Sequence, residues 1–168
     1  MLKVGSIAES DVLGIFAIQS SAYPEALREP LAVLRTRWEL APHFCYLASL
    51  QTAPTERKRH AGYLLAHPFP PEQSLGLGRP LESIPPESTA IHLHDLAVDP
   101  RFQGQGIAGR LLTTLYAAAD EAGFRQVTLV AVGAAAPFWK SKGFETLGPV
   151  KNYDQNALLM TLDLSTQT

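Results

Sequence analysis

The sequence predicts one α/β (α+β) domain, on three observations. Its 168 residues suit a single domain, and 46% of them are hydrophobic, enough for a continuous core around a sheet. Between Ala90 and Val132 a strand, a helix and a second apolar strand follow one another, which is a βαβ unit with parallel strands. On either side of that unit, short helix and strand patterns occur without internal repeats or low-complexity tails.

Taken in order, the first helix is expected over 11–19, behind Ser10 as N-cap, with Leu13, Phe16 and Ala17 on one face. A second begins near Pro30, because proline suits a first helical turn and Leu31, Leu34 and Trp38 recur at helical spacing. Between them, Ser20-Ser21-Ala22-Tyr23-Pro24 is a polar-aromatic connector suited to packing or to facing a ligand. Strands are expected over 44–50 and 62–67, and the charged run Thr55-Glu56-Arg57-Lys58-Arg59-His60 between them reads as a solvated hairpin tip. Residues 68–88 hold Pro68, Pro70, Pro71, Pro80, Pro85 and Pro86 with Gly76 and Gly78, and so sustain neither ladder nor helix. Loops of about twenty residues in a compact domain are functional lids or disordered.

The strand over 90–98 stops at Asp99-Pro100, a turn signal. The helix over 104–122 places Ile107, Ala108, Leu111, Leu112, Leu115, Ala118, Ala119 and Ala122 on one stripe, and Gly123 is its stop. A nearly continuous apolar strand covers 127–132, a short helix covers 134–142 before Gly143, and a last strand covers 157–162.

Charge and cysteine content exclude several function classes. Fourteen basic against sixteen acidic residues give a net charge of −2, so nothing draws the chain to nucleic acid or to an anionic membrane. Cys45 is the single cysteine; no internal disulfide and no cysteine-built metal site is available, and a small buried core residue is the expected role. The opening residues Met1 to Ser6 are too short and polar for a secretory signal, and no apolar run reaches the roughly 18 residues of a membrane span. A soluble, cytoplasmic protein is expected.

Chemistry is most legible at Arg101-Phe102-Gln103-Gly104-Gln105-Gly106. A strand that stops, a turn with two glycines and a helix that starts at once leave several backbone N–H groups unpaired and pointing one way, which makes an anion site. Gly104 and Gly106 lack a Cβ, so a diphosphate can approach the main chain, and the helix dipole adds roughly half a positive charge. Two glycines at a helix start also serve plain turn geometry. The turn lacks the Gly-Lys-Ser/Thr ending of a triphosphate loop and the third glycine of a dinucleotide fingerprint.

Arg101-x-x-Gly104-x-Gly106 behind a Leu96-x-Val98 strand resembles the acetyl-CoA motif of the GNAT superfamily of N-acetyltransferases, and the order of elements from about 10 to 162 matches that fold. Ala136-Pro137-Phe138-Trp139-Lys140-Ser141-Lys142-Gly143-Phe144 resembles the family's second cofactor element, a short helix ending in Gly-Phe. The resemblance implies a mixed central sheet of about six to seven strands flanked by about four helices, with parallel strands splayed at the cofactor slot. It further implies that amides from Gln103 through Gly104, Gln105, Gly106 and Ile107 to Ala108 hold the pyrophosphate, with Arg101 in the motif. The main chain of Leu96, Ala97 and Val98 would pair with the pantetheine arm. Phe138, Trp139 and Lys142 would flank the cofactor. Gly133-Ala134 stand where the family commonly has an Asn after the next strand.

A primary amine has a pKa near 10.4, so near neutrality only about one molecule in a thousand is the free base, and its proton must be taken. His92 and His94, two apart on one strand, should share a face, and imidazole suits a base near neutral pH. From spacing alone the pair also fits core hydrogen bonding, or metal binding with a third ligand that the sequence does not show. His92-Leu93-His94-Asp95-Leu96-Ala97-Val98 resembles the strand of arylalkylamine (serotonin-type) N-acetyltransferases, which implies that His92 and His94 relay the proton. Asp95 is expected on the opposite face as a structural residue. The Leu96 amide is expected to donate to the thioester carbonyl.

Those relatives carry a tyrosine general acid where this chain has Trp139, whose indole has no readily transferable proton. A thiol of pKa around 8.5 can leave largely unaided, and Tyr23 or Tyr153 are alternative donors. Tyr23, Pro24 and the proline-rich loop are expected to wall an apolar acceptor site. The expected activity is acetyl transfer from acetyl-CoA to a small-molecule amine, an arylalkylamine among the candidates, with no nucleic-acid or membrane partner and room for a homodimer. The alternatives are a silent acyl-CoA sensor and an acetyltransferase for a peptide or protein amine.

Overall fold

The computed structural model describes residues 1–153 and 156–167. Seven strands, β1 (Leu2–Ser6), β2 (Tyr46–Leu50), β3 (Arg59–Phe69), β4 (Ala90–Val98), β5 (Gln126–Ala131), β6 (Glu145–Pro149) and β7 (Leu158–Asp163), form one mixed sheet in the order β1-β2-β3-β4-β5-β7-β6. The helices are α1 (Val12–Ala22), α2 (Leu31–Leu40), α3 (Ile107–Glu121) and α4 (Ala136–Ser141). This is the mixed α/β arrangement the sequence leads one to expect. The edge strands β1 and β6 were absent from the residue-by-residue expectation, because both are short and largely exposed and neither shows an apolar alternation of useful length.

Two apolar layers sandwich the sheet. On one face, Ile107, Leu111, Leu112 and Leu115 of α3 pack on Leu64, Ala66, Ile91, Leu93, Val127 and Leu129. These four α3 side chains are at most 3% exposed, and burial of each contributes about 1.5–3 kcal/mol. The opposite layer holds α1 and α2 against Leu47, Tyr63, Leu65 and Ala97.

The buried stripe of α1 is Val12, Ile15, Ile18 and Gln19, whereas Leu13, expected on the core face, is 74% exposed. Two stripes compete in this helix, which is apolar on most sides, and tertiary packing selects one. Gln19 is tolerated inside because both ends of its amide are used: Nε2 donates to the Glu29 carbonyl at 2.9 Å and Oε1 accepts from the Glu29 amide at 2.8 Å. Asp11, not Ser10, precedes α1, and its Oδ2 accepts from the Ala8 amide.

Two irregularities in β4 prepare the site. Leu65 pairs with Asp95 and Ala66 with Leu93, so His94 is an extra residue, a β-bulge. Beside β5, pairing is parallel but covers only Ile91 with Val127 and His92 with Thr128. Beyond these residues β4 runs on to Val98 without a strand partner on that side, so β4 and β5 splay.

Candidate active site

The direction of the β4 main chain follows from one hydrogen bond. The Asp99 amide donates to the Ala61 carbonyl at 2.9 Å, so odd-numbered residues around it present N–H and C=O to β3, and even-numbered ones present theirs to the open edge. Leu96 and Val98 therefore line the splay with their main chains. Ala97, expected to contact the cofactor arm, turns its backbone toward β3 and its methyl into the α1 layer.

At the end of β4 the turn takes the shape expected of an anion cradle. Gly104 and Gly106 sit at φ +77° and +75°, left-handed values that favour glycine. A Cβ at either would meet no protein atom within 4 Å. Gly106 is the N-cap of α3, and no side chain caps that end, so its first amides are free for a ligand. Gln103, Gly104, Gly106, Ile107 and Ala108 line a groove with Leu96 and Val98, and Phe138, Trp139 and Lys142 form its far wall. Lys142 Nζ lies 5.6 Å from the Phe138 ring centroid, giving the groove one cation. Open amides, missing Cβ atoms and this lysine fit a diphosphate. Gln105 does not line the groove. Arg101 lies outside it as well: its guanidinium is bound to Asp99, with Nη2–Oδ2 at 2.7 Å, and pins the turn from outside.

The groove continues into a second cavity, of about 130 Å3, between β4 and β5, and Tyr23, Leu96, Ala135 and Trp139 belong to both. In this cavity His94, Glu29 and Asp95 meet apolar walls that include Leu27, Leu77 and Leu129, with Tyr153 at one side. Pro24, expected beside Tyr23, is exposed and lines neither space.

The two histidines stand in different surroundings. His94 Nε2 lies 2.5 Å from Glu29 Oε1, and both side chains are nearly inaccessible. A carboxylate only accepts, so Nε2 carries the hydrogen and Nδ1 is left as the ring's proton acceptor in the neutral form. Burial acts to raise the Glu29 carboxyl, but the hydrogen bond and charge of His94, the charge of Arg37 and the Gly78 amide outweigh it and hold Glu29 below the usual carboxylate range. His92, expected to relay the proton with His94, is on the same face of β4 but does not line the cavity. Its Nδ1 is 3.0 Å from Thr128 Oγ1 and its ring packs on His67 and Phe69. Burial drives His92 well below its ordinary range, so it stays neutral.

Asp95, expected to point away, is brought into the site by the bulge at His94. Its Oδ2 accepts from Tyr63 Oη at 2.5 Å and its Oδ1 lies 2.7 Å from Tyr23 Oη, which is also 2.8 Å from the Leu96 carbonyl oxygen. Burial raises the Asp95 carboxyl above its usual range, and burial followed by the Asp95 charge raises Tyr23 and Tyr63 well above theirs. Burial pushes Tyr153 up to about 12. Trp139 fills the corner as an apolar wall, its ring edge-on to Phe138 and Phe144 at 5.0 and 5.4 Å. Glu29 escaped the sequence reading altogether: a lone acid before Pro30 carries no local sign of being buried. Among the described residues, no group of three or more His, Cys, Asp or Glu side chains is gathered as metal ligands, and no helix is long and apolar enough to cross a membrane.

None of the curated proteins matches this chain in sequence. Solved structures match it over nearly its whole length at low identity. They include the loading GNATL domain of CurA from Lyngbya majuscula (TM-score 0.80, 13% identity, 99% of each chain covered). The ribosomal-protein-S18-alanine N-acetyltransferase from Escherichia coli gives a TM-score of 0.68 at 17% identity, over 98% of this chain and 94% of that one. Arabidopsis thaliana Naa50, in complex with the bisubstrate analogue CoA-Ac-MVNAL, gives 0.70 at 14% identity, over 96% and 98%. At these identities the likeness shows a shared fold. A family model described as the acetyltransferase (GNAT) family matches residues 12–144, most of the sequence and all of the groove. The chain belongs to the GNAT acetyltransferase family.

Proposed function

We propose that this protein transfers the acetyl group of acetyl-CoA directly to the nitrogen of a primary amine. The observation that carries the reading is the continuity of the two spaces: a diphosphate-sized groove at the α3 amides runs along the open edge of β4 into a cavity that ends on a buried His94–Glu29 pair. Bound acetyl-CoA supplies the activated acyl group. The amides of Gly104, Gly106, Ile107 and Ala108, with Lys142, hold the diphosphate end, and the open-edge main chain of Leu96 and Val98 pairs with the arm. The Leu96 amide, on that edge, donates to the carbonyl oxygen as its charge develops. Glu29 and Asp95 attract the amine as an ammonium, and His94, held by Glu29, takes its proton through Nδ1. Tyr23 Oη is the proton-bearing group at the junction of the two spaces and the best placed to serve the departing thiolate, in the role Trp139 does not fill. An arylalkylamine is the favoured acceptor, since the walls beyond the two carboxylates are leucine and tyrosine.

One observation favours a second reading, an acyl-CoA sensor without turnover: Trp139 stands where the resembling enzymes carry their acid. The two separate by following CoA release with tryptamine, phenethylamine, spermidine and a peptide amine. Transfer predicts turnover with at least one amine, and a kcat lowered at least tenfold by His94→Gln with acetyl-CoA affinity retained. Tight acetyl-CoA binding with no turnover on any amine rejects the transfer reading in favour of the sensor.

A further inference from the structure

Residues 70–89, the proline-rich connection between β3 and β4, are tied down on two sides of the acceptor cavity. On the α2 side the Gly78 amide donates to Glu29 Oε2 at 2.8 Å, Arg37 Nη2 donates to the Arg79 carbonyl at 3.0 Å, and the Leu81 amide donates to Thr36 Oγ1 at 2.9 Å. Leu81 is 3% exposed, so this end of the segment is anchored by burial too. On the other side Asn152, in the connection from β6 to β7, donates through Nδ2 to the Ser74 carbonyl at 2.9 Å, and Ser74 Oγ lies 3.4 Å from its Oδ1. Backbones touch at this seam: a Cβ on Gly76 would stand 2.9 Å from the Asn152 carbonyl oxygen. Leu77, between the two sets of ties, is a wall of the cavity, with Leu27 and Tyr153.

We propose that this segment is a fixed roof that restricts the acceptor to a free primary amine with a short apolar substituent and rejects the amino terminus of a peptide. The reaction assumed is the acetyl transfer proposed above; the binding preference stands without it. Two features of the cavity argue for the restriction. Its lining holds two carboxylates, Glu29 and Asp95, which suit one ammonium group, and each Glu29 oxygen keeps a lone pair beyond its bonds to His94 and Gly78. The leucine walls named above are apolar, so an aliphatic or aromatic tail is buried favourably against them while peptide N–H and C=O groups there would lose water without replacement partners. A peptide also needs an exit of about 3.3 Å per residue along its length, and the Ser74–Asn152 seam ties the roof to the connection that carries Tyr153, a wall of the cavity. Glu29 acquires a second task in this arrangement. With one oxygen on His94 and the other on the Gly78 amide, it is a positioning residue that fixes the roof and the proton acceptor relative to each other.

The test uses the full chain saturated with CoA for binding, or with acetyl-CoA for turnover, and two probes: phenethylamine and a tetrapeptide amide with a free serine amino terminus. Calorimetry should show phenethylamine binding at least tenfold tighter than the tetrapeptide, and kcat/KM should favour it by a similar factor. Leu77→Ala should raise the phenethylamine KM and Kd several-fold with kcat little changed. Asn152→Ala, which opens the seam, should narrow the ratio toward the tetrapeptide. Retained CoA affinity and cooperative melting establish that both variants fold. A wild-type protein that binds or acetylates the tetrapeptide as well as phenethylamine overturns the roof, as does a ratio unmoved in both variants or binding of neither probe. Tight phenethylamine binding that weakens in Leu77→Ala, with no turnover of either probe, upholds the roof and rejects the transfer reading instead.

Discussion

Replacing Gly104 with alanine separates the cost of backbone strain from the cost of blocking the cradle. Gly104 has φ +77°, where an L side chain costs about 1–2 kcal/mol. No protein atom lies within 4 Å of the position a Cβ would take, so no steric clash adds to the strain. Unfolding stability should therefore fall by about 1–2 kcal/mol and Tm by roughly 2–8 °C for a chain of this size. The new methyl occupies space where the groove meets the glycine turn, and loss of one charge-assisted hydrogen bond to the diphosphate costs about 1.5–3 kcal/mol, a factor of about 10–100 in CoA affinity. Gly123→Ala is the control. Gly123 has φ +88° and equally open surroundings, but it lies past the far end of fifteen-residue α3, about 22 Å from the cradle. Both variants should lose similar stability by thermal denaturation, while calorimetry finds weakened CoA binding in Gly104→Ala alone. Equal CoA affinity in the two, with both destabilised, would refute the assignment of the cradle.

Stability should decline with acid from about pH 6.5 downward, through the buried histidines. Burial lowers His67 to about 3 and His92 well below 6.5, so between these values and 6.5 the unfolded chain binds more protons than the folded one, and stability rises with pH across that window by up to about 1.4 kcal/mol per pH unit for each histidine. Chemical denaturation at pH 7, 6, 5 and 4 checks this, and a slope unchanged in His67→Gln removes His67 from the account. Burial likewise pushes the Cys45 thiol up to about 12, so a disulfide reagent at pH 8 should react with it only as fast as the protein opens; immediate labelling of the native protein would contradict its burial.

Features whose partners are close in sequence were legible before folding was known. The βαβ unit, the span of β4, the α3 stripe and the glycine turn all depend on groups within one turn or one strand of each other, so local spacing and missing side chains suffice to announce them. Edge strands β1 and β6 were not, because half-exposed strands need little apolar pattern and are fixed by their neighbours in the sheet. The acceptor end of the site was decided by tertiary structure alone. His94 meets Glu29 across 65 positions of chain and Tyr23 meets Asp95 across 72, and no local rule encodes either contact. A single added residue in β4 then breaks the two-residue alternation after His94 and turns Asp95 inward. Side-chain direction in a strand follows from its register with the neighbouring strand, and register is a property of the assembled sheet.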